Sequence, residues 1–126
     1  MMHRSRIGVV LIDHPEEQYE RSRAFWSAAV GTEPEAQPDG PYESLGVGGG
    51  VRLELQRTGS GTSPRVHFDI ETDDVAAEVA RLVGLGATIV TADDEFSVLA
   101  DPTGLVFCVV PVQTGELFEQ HATSWT

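Results

Sequence analysis

Arg65-Val66-His67-Phe68-Asp69-Ile70-Glu71-Thr72 (65–72) alternates polar and apolar side chains. Val66, Phe68 and Ile70 fall on one side of an extended chain, and Arg65, His67, Asp69 and Glu71 on the other. Side chains alternate along a strand, so this is a strand with one apolar and one polar face. Thr72, Asp73 and Asp74 follow and can cap a helix. Val75, Val79, Leu82 and Val83 then recur at helical spacing, and Gly84 and Gly86 end that helix. Ala87–Thr91 and Glu95–Ala100 read as strands. Asp101-Pro102-Thr103-Gly104 is a type I turn, with Pro second and Gly fourth, and Leu105–Val112 is a last core strand.

The same order of elements precedes this stretch. Arg6–Asp13 (RIGVVLID) is a β-branched run of strand type, closed by Pro15, which can open a helix at its first turn. Tyr19, Ser22, Phe25, Trp26, Ala29 and Val30 give one apolar helical stripe, with Gly31 as its C-terminal cap. After a Pro-rich acidic segment, Pro41–Val47 can form a strand, Gly48-Gly49-Gly50 turns, and Val51–Arg57 (VRLELQR) alternates cleanly. The expected fold is α+β, built from two βαβββ modules. Many strands with only two helices favour this over a doubly wound sheet; a ferredoxin-like arrangement is the structural alternative. The chain reads as a single domain over 1–126, with module one at about 5–58, a small flexible linker at 59–64, module two at about 65–112 and a C-terminal tail at 113–126. That tail can pack or fray, and its Trp125 would cover a partner subunit or stay disordered.

Composition narrows the function. The net charge of −12 comes from 20 acidic and 8 basic residues. A nucleic-acid binder needs a basic footprint, and an anionic membrane surface would repel this chain, so neither is an expected partner. No apolar run has the length of a membrane span, and the N-terminus lacks the pattern of a signal peptide, so a cytoplasmic protein is expected. Cys108 is the only cysteine, which excludes an internal disulfide.

Three stretches then carry a resemblance: Phe25-Trp26-Ser27-Ala28-Ala29-Val30-Gly31; Val66-His67-Phe68-Asp69-Ile70 with Asp73-Asp74-Val75 and Leu85-Gly86-Ala87; and Leu99-Ala100-Asp101-Pro102-Thr103-Gly104 with Val106-Phe107-Cys108-Val109-Val110. Together they resemble the vicinal-oxygen-chelate superfamily (glyoxalase/bleomycin resistance/dioxygenase), and its glyoxalase-like members in particular. The resemblance implies two βαβββ modules whose mixed sheets curl around a cavity, commonly in a homodimer. In metal-dependent members four inward side chains hold a divalent metal. Carried over, those places are about Gly8, Glu54, His67 and Cys108. The pattern is incomplete here, since Gly8 has no side chain and Cys108 stands where the family has Glu. A Cys-His-Glu set of Cys108, His67 and Glu54 would suit zinc better than an oxygen-activating iron.

Each candidate residue also has a plainer role. His67 is a metal ligand or general base, or else a partly exposed or hydrogen-bonded cavity histidine. Glu54 is favoured as the ion-pair partner of Arg52, Arg65 or another cavity charge, or else is a carboxylate ligand or a base for proton abstraction. Cys108, between Phe107 and Val109, is favoured as a small buried hydrophobe. Tyr19, Phe25 and Trp26 are favoured as core. Asp93, Asp94 and Glu95 read as a solvated acidic cluster. The expected function is binding of a small molecule, oriented by Arg52, Gln56, Arg65 and Asp69 around Glu54 and His67, without a complete metal centre. The alternative is a metal-dependent lyase, isomerase or dioxygenase, with zinc, nickel, manganese or iron, acting on a small oxygenated substrate.

Overall fold

The computed structural model describes residues 2–38, 40–93 and 95–126. The chain forms two compact units, one of Val10–His67, the other of the chain before Val10 together with Phe68–Thr126. The first strand, β1 (His3–Pro15), contributes to both, as does β5 (Arg65–Thr72).

In the Val10–His67 unit, Pro15 ends β1 and leads into a one-turn 3-10 helix, Glu16–Gln18. Helix α1 (Tyr19–Val30) follows, then β2 (Glu35–Ala36), β3 (Tyr42–Gly48) and β4 (Val51–Thr58), in ladder order β2-β3-β4-β1. Gly31 caps α1 in the left-handed conformation, at φ 74°. The β3–β4 hairpin turns through Gly49 and Gly50, at φ 63° and 80°. Two positive φ values in a two-residue loop match the twist of the flanking strands, and glycine alone adopts them without strain.

Ile12, Tyr19, Leu45 and Leu55 make the core of this unit, with Trp26 and Leu53 packed against it. The expected α1 stripe is only partly buried. Tyr19 and Ser22 are, but Phe25 is 62% exposed and Ala29 and Val30 also face outward. Phe25 instead meets Trp26 edge-on, ring centroids 5.0 Å apart. The core of this unit is small, so one side of the helix satisfies it, and Phe25 is not a core residue.

In the other unit, β5 leads to α2 (Val75–Gly84), β6 (Thr88–Ala92), β7 (Ser97–Ala100) and β8 (Val106–Pro111), in ladder order β1-β5-β8-β7-β6. β5 and β8 run parallel, whereas β7 is antiparallel to both β6 and β8. A mixed sheet with few helices makes the fold α+β, as expected. The Asp74 carboxylate caps α2 by accepting from the Ala77 amide at 3.0 Å. Val75, Val79 and Leu82 then pack on Leu99, Phe107 and Val109, with Phe68 and Ile70 from β5. Val83, read as part of that stripe, turns outward. Asp94 of the acidic cluster lies outside the described residues; Asp93 and Glu95 are exposed.

The tail is ordered: α3 (Glu116–His121) and β9 (Thr123–Trp125), which pairs antiparallel with β1. Trp125 is neither free nor disordered. Its indole N–H donates to Ser5 Oγ at 2.9 Å, and the Arg81 guanidinium lies over its ring at 3.8 Å.

Two buried glutamates fasten this unit. Glu71 accepts from the Arg6 guanidinium, the Gln113 and Thr114 amides and the Thr114 hydroxyl. Glu78 accepts from His3, Ser5 and twice from Arg81. Burial pushes both carboxyls up, but these donors outweigh it and hold each below the usual carboxylate range. A carboxylate whose folded pKa is depressed stabilises the fold above its unfolded pKa, and that stability is lost as pH falls through the folded value. Replacing Glu78 by Gln should therefore flatten the acid limb of a stability–pH curve measured by urea unfolding. Gly8 carries a steric constraint of its own, since a Cβ there would lie 2.3 Å from Glu71 Oε2. Gly8→Ala should cost about 1–3 kcal/mol in the same assay, as overpacking does.

Candidate functional site

Alternation fixes which residues share a face. In the Val10–His67 unit, Ile12, Leu53 and Leu55 point to the core formed with α1. Their neighbours Asp13 on β1 and Arg52, Glu54 and Gln56 on β4 therefore leave the opposite, helix-free face of the sheet. β1 lies between β4 and β5 in the ladder, which puts Asp13 between the strand of Glu54 and that of His67.

His67 Nδ1 lies 2.6 Å from Asp13 Oδ2, and Arg65 Nε donates to the same oxygen at 3.3 Å. A carboxylate accepts, so the imidazole hydrogen is assigned to Nδ1. Asp13 is fully buried and His67 nearly so, while the Arg65 side chain remains 60% exposed. Among the described residues, Asp13 Oδ1 is the buried side-chain oxygen with no hydrogen-bond partner. Glu54 is buried too, and Arg52 Nη1 donates to its Oε2 at 3.2 Å, the ion pair that is its plainer role. Gln56 donates to the Tyr42 hydroxyl at 3.3 Å. A separate cleft of about 350 Å³ lies between α1 and the β3–β4 hairpin, lined in part by Tyr19, Arg23, Tyr42, Glu43 and Arg57.

In the other unit the apolar side chains of Phe68, Ile70, Phe107 and Val109 point toward α2. Asp69 and Cys108, set between them in sequence, take the opposite face and are register partners across β5 and β8. Asp69 is buried and Cys108 partly so. Cys108 is thus not the small core hydrophobe its apolar neighbours suggest, because it points away from them.

The four metal positions implied by the resemblance do not all fit. Gly8 offers no donor, and the Glu71 carboxylate fills the space a side chain would need. The oxygens of Glu71 are themselves occupied by Arg6, Gln113 and Thr114. Glu54 is neutralised by Arg52. Within the other unit, Asp69 and Cys108 offer a carboxylate and a thiol side by side across β5 and β8.

Asp13 is the residue that strand reading passes over. Its signal is an acid ending a wholly apolar run, one residue after the core-facing Ile12.

Comparisons with known proteins agree with this architecture. The sequence matches the model of the glyoxalase-like domain over residues 9–110. A comparison with curated proteins finds no match. Among solved structures, the chain is similar to the NAD-dependent benzaldehyde dehydrogenase from Legionella pneumophila, at 15% identity and a TM-score of 0.60, covering 83% of this chain and 98% of that one. It is similar to a hypothetical protein from Bacillus halodurans C-125, at 12% identity and a TM-score of 0.62, covering 86% and 95%. It is also similar to 2,2',3-trihydroxybiphenyl 1,2-dioxygenase from the dibenzofuran-degrading Sphingomonas wittichii strain RW1, at 17% identity and a TM-score of 0.54, covering 87% of this chain but 41% of that one. At these identities the likeness is one of fold. The match to the family model spans most of the chain, and the chain belongs to the glyoxalase-like domain family of the vicinal-oxygen-chelate superfamily.

Proposed function

We propose that the protein binds a small oxygenated organic molecule on the helix-free face of its Val10–His67 unit, without the complete metal centre of its metal-dependent relatives. The observation that supports this reading is a sheet face carrying Asp13, Glu54 and His67, all buried, beside Arg52 and Arg65. Buried polar groups cost free energy unless paired, so a buried row with cations at its edge suits a ligand of matching polarity. Arg52 and Arg65 would orient carboxylate, carbonyl or hydroxyl oxygens. His67 would receive a ligand hydrogen or hold a proton at Nδ1 against Asp13. Glu54 and Gln56 would fix orientation, and Asp69 would extend the polar row along β5. A cytoplasmic homodimer is the assembly that goes with this reading.

The second reading is a metal-dependent lyase, isomerase or dioxygenase. The pairing of Asp69 with Cys108 across β5 and β8 favours it, with zinc, nickel, manganese or iron as the candidate ions. Bound there, a divalent ion would supply Lewis-acid polarisation of a substrate oxygen.

Elemental analysis of untagged protein, purified without chelator, separates the two. Substoichiometric metal is expected, together with a rise in melting temperature when a small oxygenated ligand is found by screening. At ~100-fold excess over its Kd, such a ligand stabilises the fold by about 2.7 kcal/mol. Arg52→Ala should remove most of that rise. Near-stoichiometric metal that disappears in His67→Ala would replace this reading with the second.

A further inference from the structure

Among the described residues, three carboxylates are completely buried: Asp13, Glu71 and Glu78. Two of them are saturated. Glu71 Oε1 accepts from two backbone amides, and its Oε2 from Arg6 and the Thr114 hydroxyl. Glu78 Oε1 accepts from His3 and Arg81, and its Oε2 from Ser5 and Arg81. Both oxygens of each are used, as in carboxylates that tie a fold together. Asp13 is different. Its Oδ2 takes His67 Nδ1 at 2.6 Å and Arg65 Nε at 3.3 Å, while its Oδ1 is buried with no partner among the described residues. One buried oxygen left without a donor is an energetic loss to the fold. A residue kept at that cost fits a role in the site better than a role as an anchor.

The role follows from the geometry. A neutral imidazole holds one hydrogen, on Nδ1 or on Nε2, and the hydrogen bond made by one nitrogen decides the state of the other. We infer that Asp13 is a positioning residue: it holds His67 as the Nδ1–H tautomer, so that Nε2 carries the lone pair and meets whatever it contacts as an acceptor or ligand atom. The same arrangement, a carboxylate behind an imidazole, orients catalytic and metal-binding histidines in many proteins. The Asp13 carboxylate is carried on β1, between β4 and β5, so the ring is fixed by the sheet itself and not by a loop. Arg65, mostly exposed, offsets part of the Asp13 charge without covering it. The inference rests on the reading of His67 as a site residue, and it adds the group that sets which nitrogen of that ring reacts or binds.

Long-range proton–nitrogen NMR of the His67 ring in ligand-free protein, recorded above the pH range in which the imidazole titrates, reads the tautomer directly. The wild type should show the hydrogen on Nδ1. Asp13→Ala should move it toward Nε2, the form favoured in water. Asp13→Asn, whose side-chain oxygen still accepts, should keep it on Nδ1, and Glu71→Gln should leave it unchanged. A wild-type ring protonated on Nε2 overturns the inference whether or not the variants fold, as does a tautomer that Asp13→Ala does not move. A second readout is the urea midpoint, which Asp13→Asn should lower much less than Glu71→Gln, since the atom replaced at Oδ1 has no partner. No ligand enters either measurement. A failed ligand screen would therefore count against the binding reading alone, and a wrong tautomer against Asp13 alone.

Discussion

The structure depends on one constraint: an ionised carboxylate removed from water must meet donors that replace it. This chain is strongly acidic, and it buries several of those acids: Asp13, Glu54 and Glu71 on its strands and Glu78 on α2. Arginine, histidine, hydroxyl and amide donors are supplied where each acid falls. Arg6 and the Gln113–Thr114 segment meet Glu71, Arg81 and His3 meet Glu78, Arg52 meets Glu54, and His67 with Arg65 meets Asp13. The bonds of Glu71 to Arg6, of Glu78 to His3 and of Asp13 to His67 each tie distant parts of one unit together, whereas Arg52–Glu54 and Arg81–Glu78 are local. Through Glu71, β5 holds the segment that leads into α3. Through Ser5, the same network that satisfies Glu78 reaches Trp125.

The division of labour between sheet faces follows. Helices α1 and α2 each cover one face with an apolar cluster. The other faces carry the chemistry-bearing residues, and the pleat alone delivers them there. Gly8 shows how tightly that side is filled, since its missing side chain is what lets the Glu71 carboxylate lie against the strand. The position that the family resemblance marks for a metal ligand has thus become part of the packing around a structural acid.

Much of the fold was legible because alternation is a local property. β4 and β5 declare their faces in eight residues each, and the Asp74 cap and the positive-φ Gly49–Gly50 turn rest on local chemistry that needs no tertiary context. What failed was whatever depended on how much surface a partner element offers. Phe25 and Val83 continue helical stripes that the cores are too small to cover. Cys108 was misjudged because its apolar neighbours were read as an environment, whereas in a strand they mark the opposite face. The tail carried no periodicity long enough to read, and its order comes from Trp125 meeting Ser5 and Arg81. At the site, Arg52 and Glu54 were legible as a pair two residues apart on one strand. The pairing of Asp13 with His67 joins residues far apart in sequence, so no local pattern could reveal it.

A double-mutant cycle measures the strength of that pair: unfolding free energies of the wild type, Asp13→Ala, His67→Ala and the double variant at neutral pH. A buried, charge-assisted hydrogen bond predicts a coupling of about 1.5–3 kcal/mol. Additivity to within about 0.5 kcal/mol would contradict the contact and the organised polar face built on it.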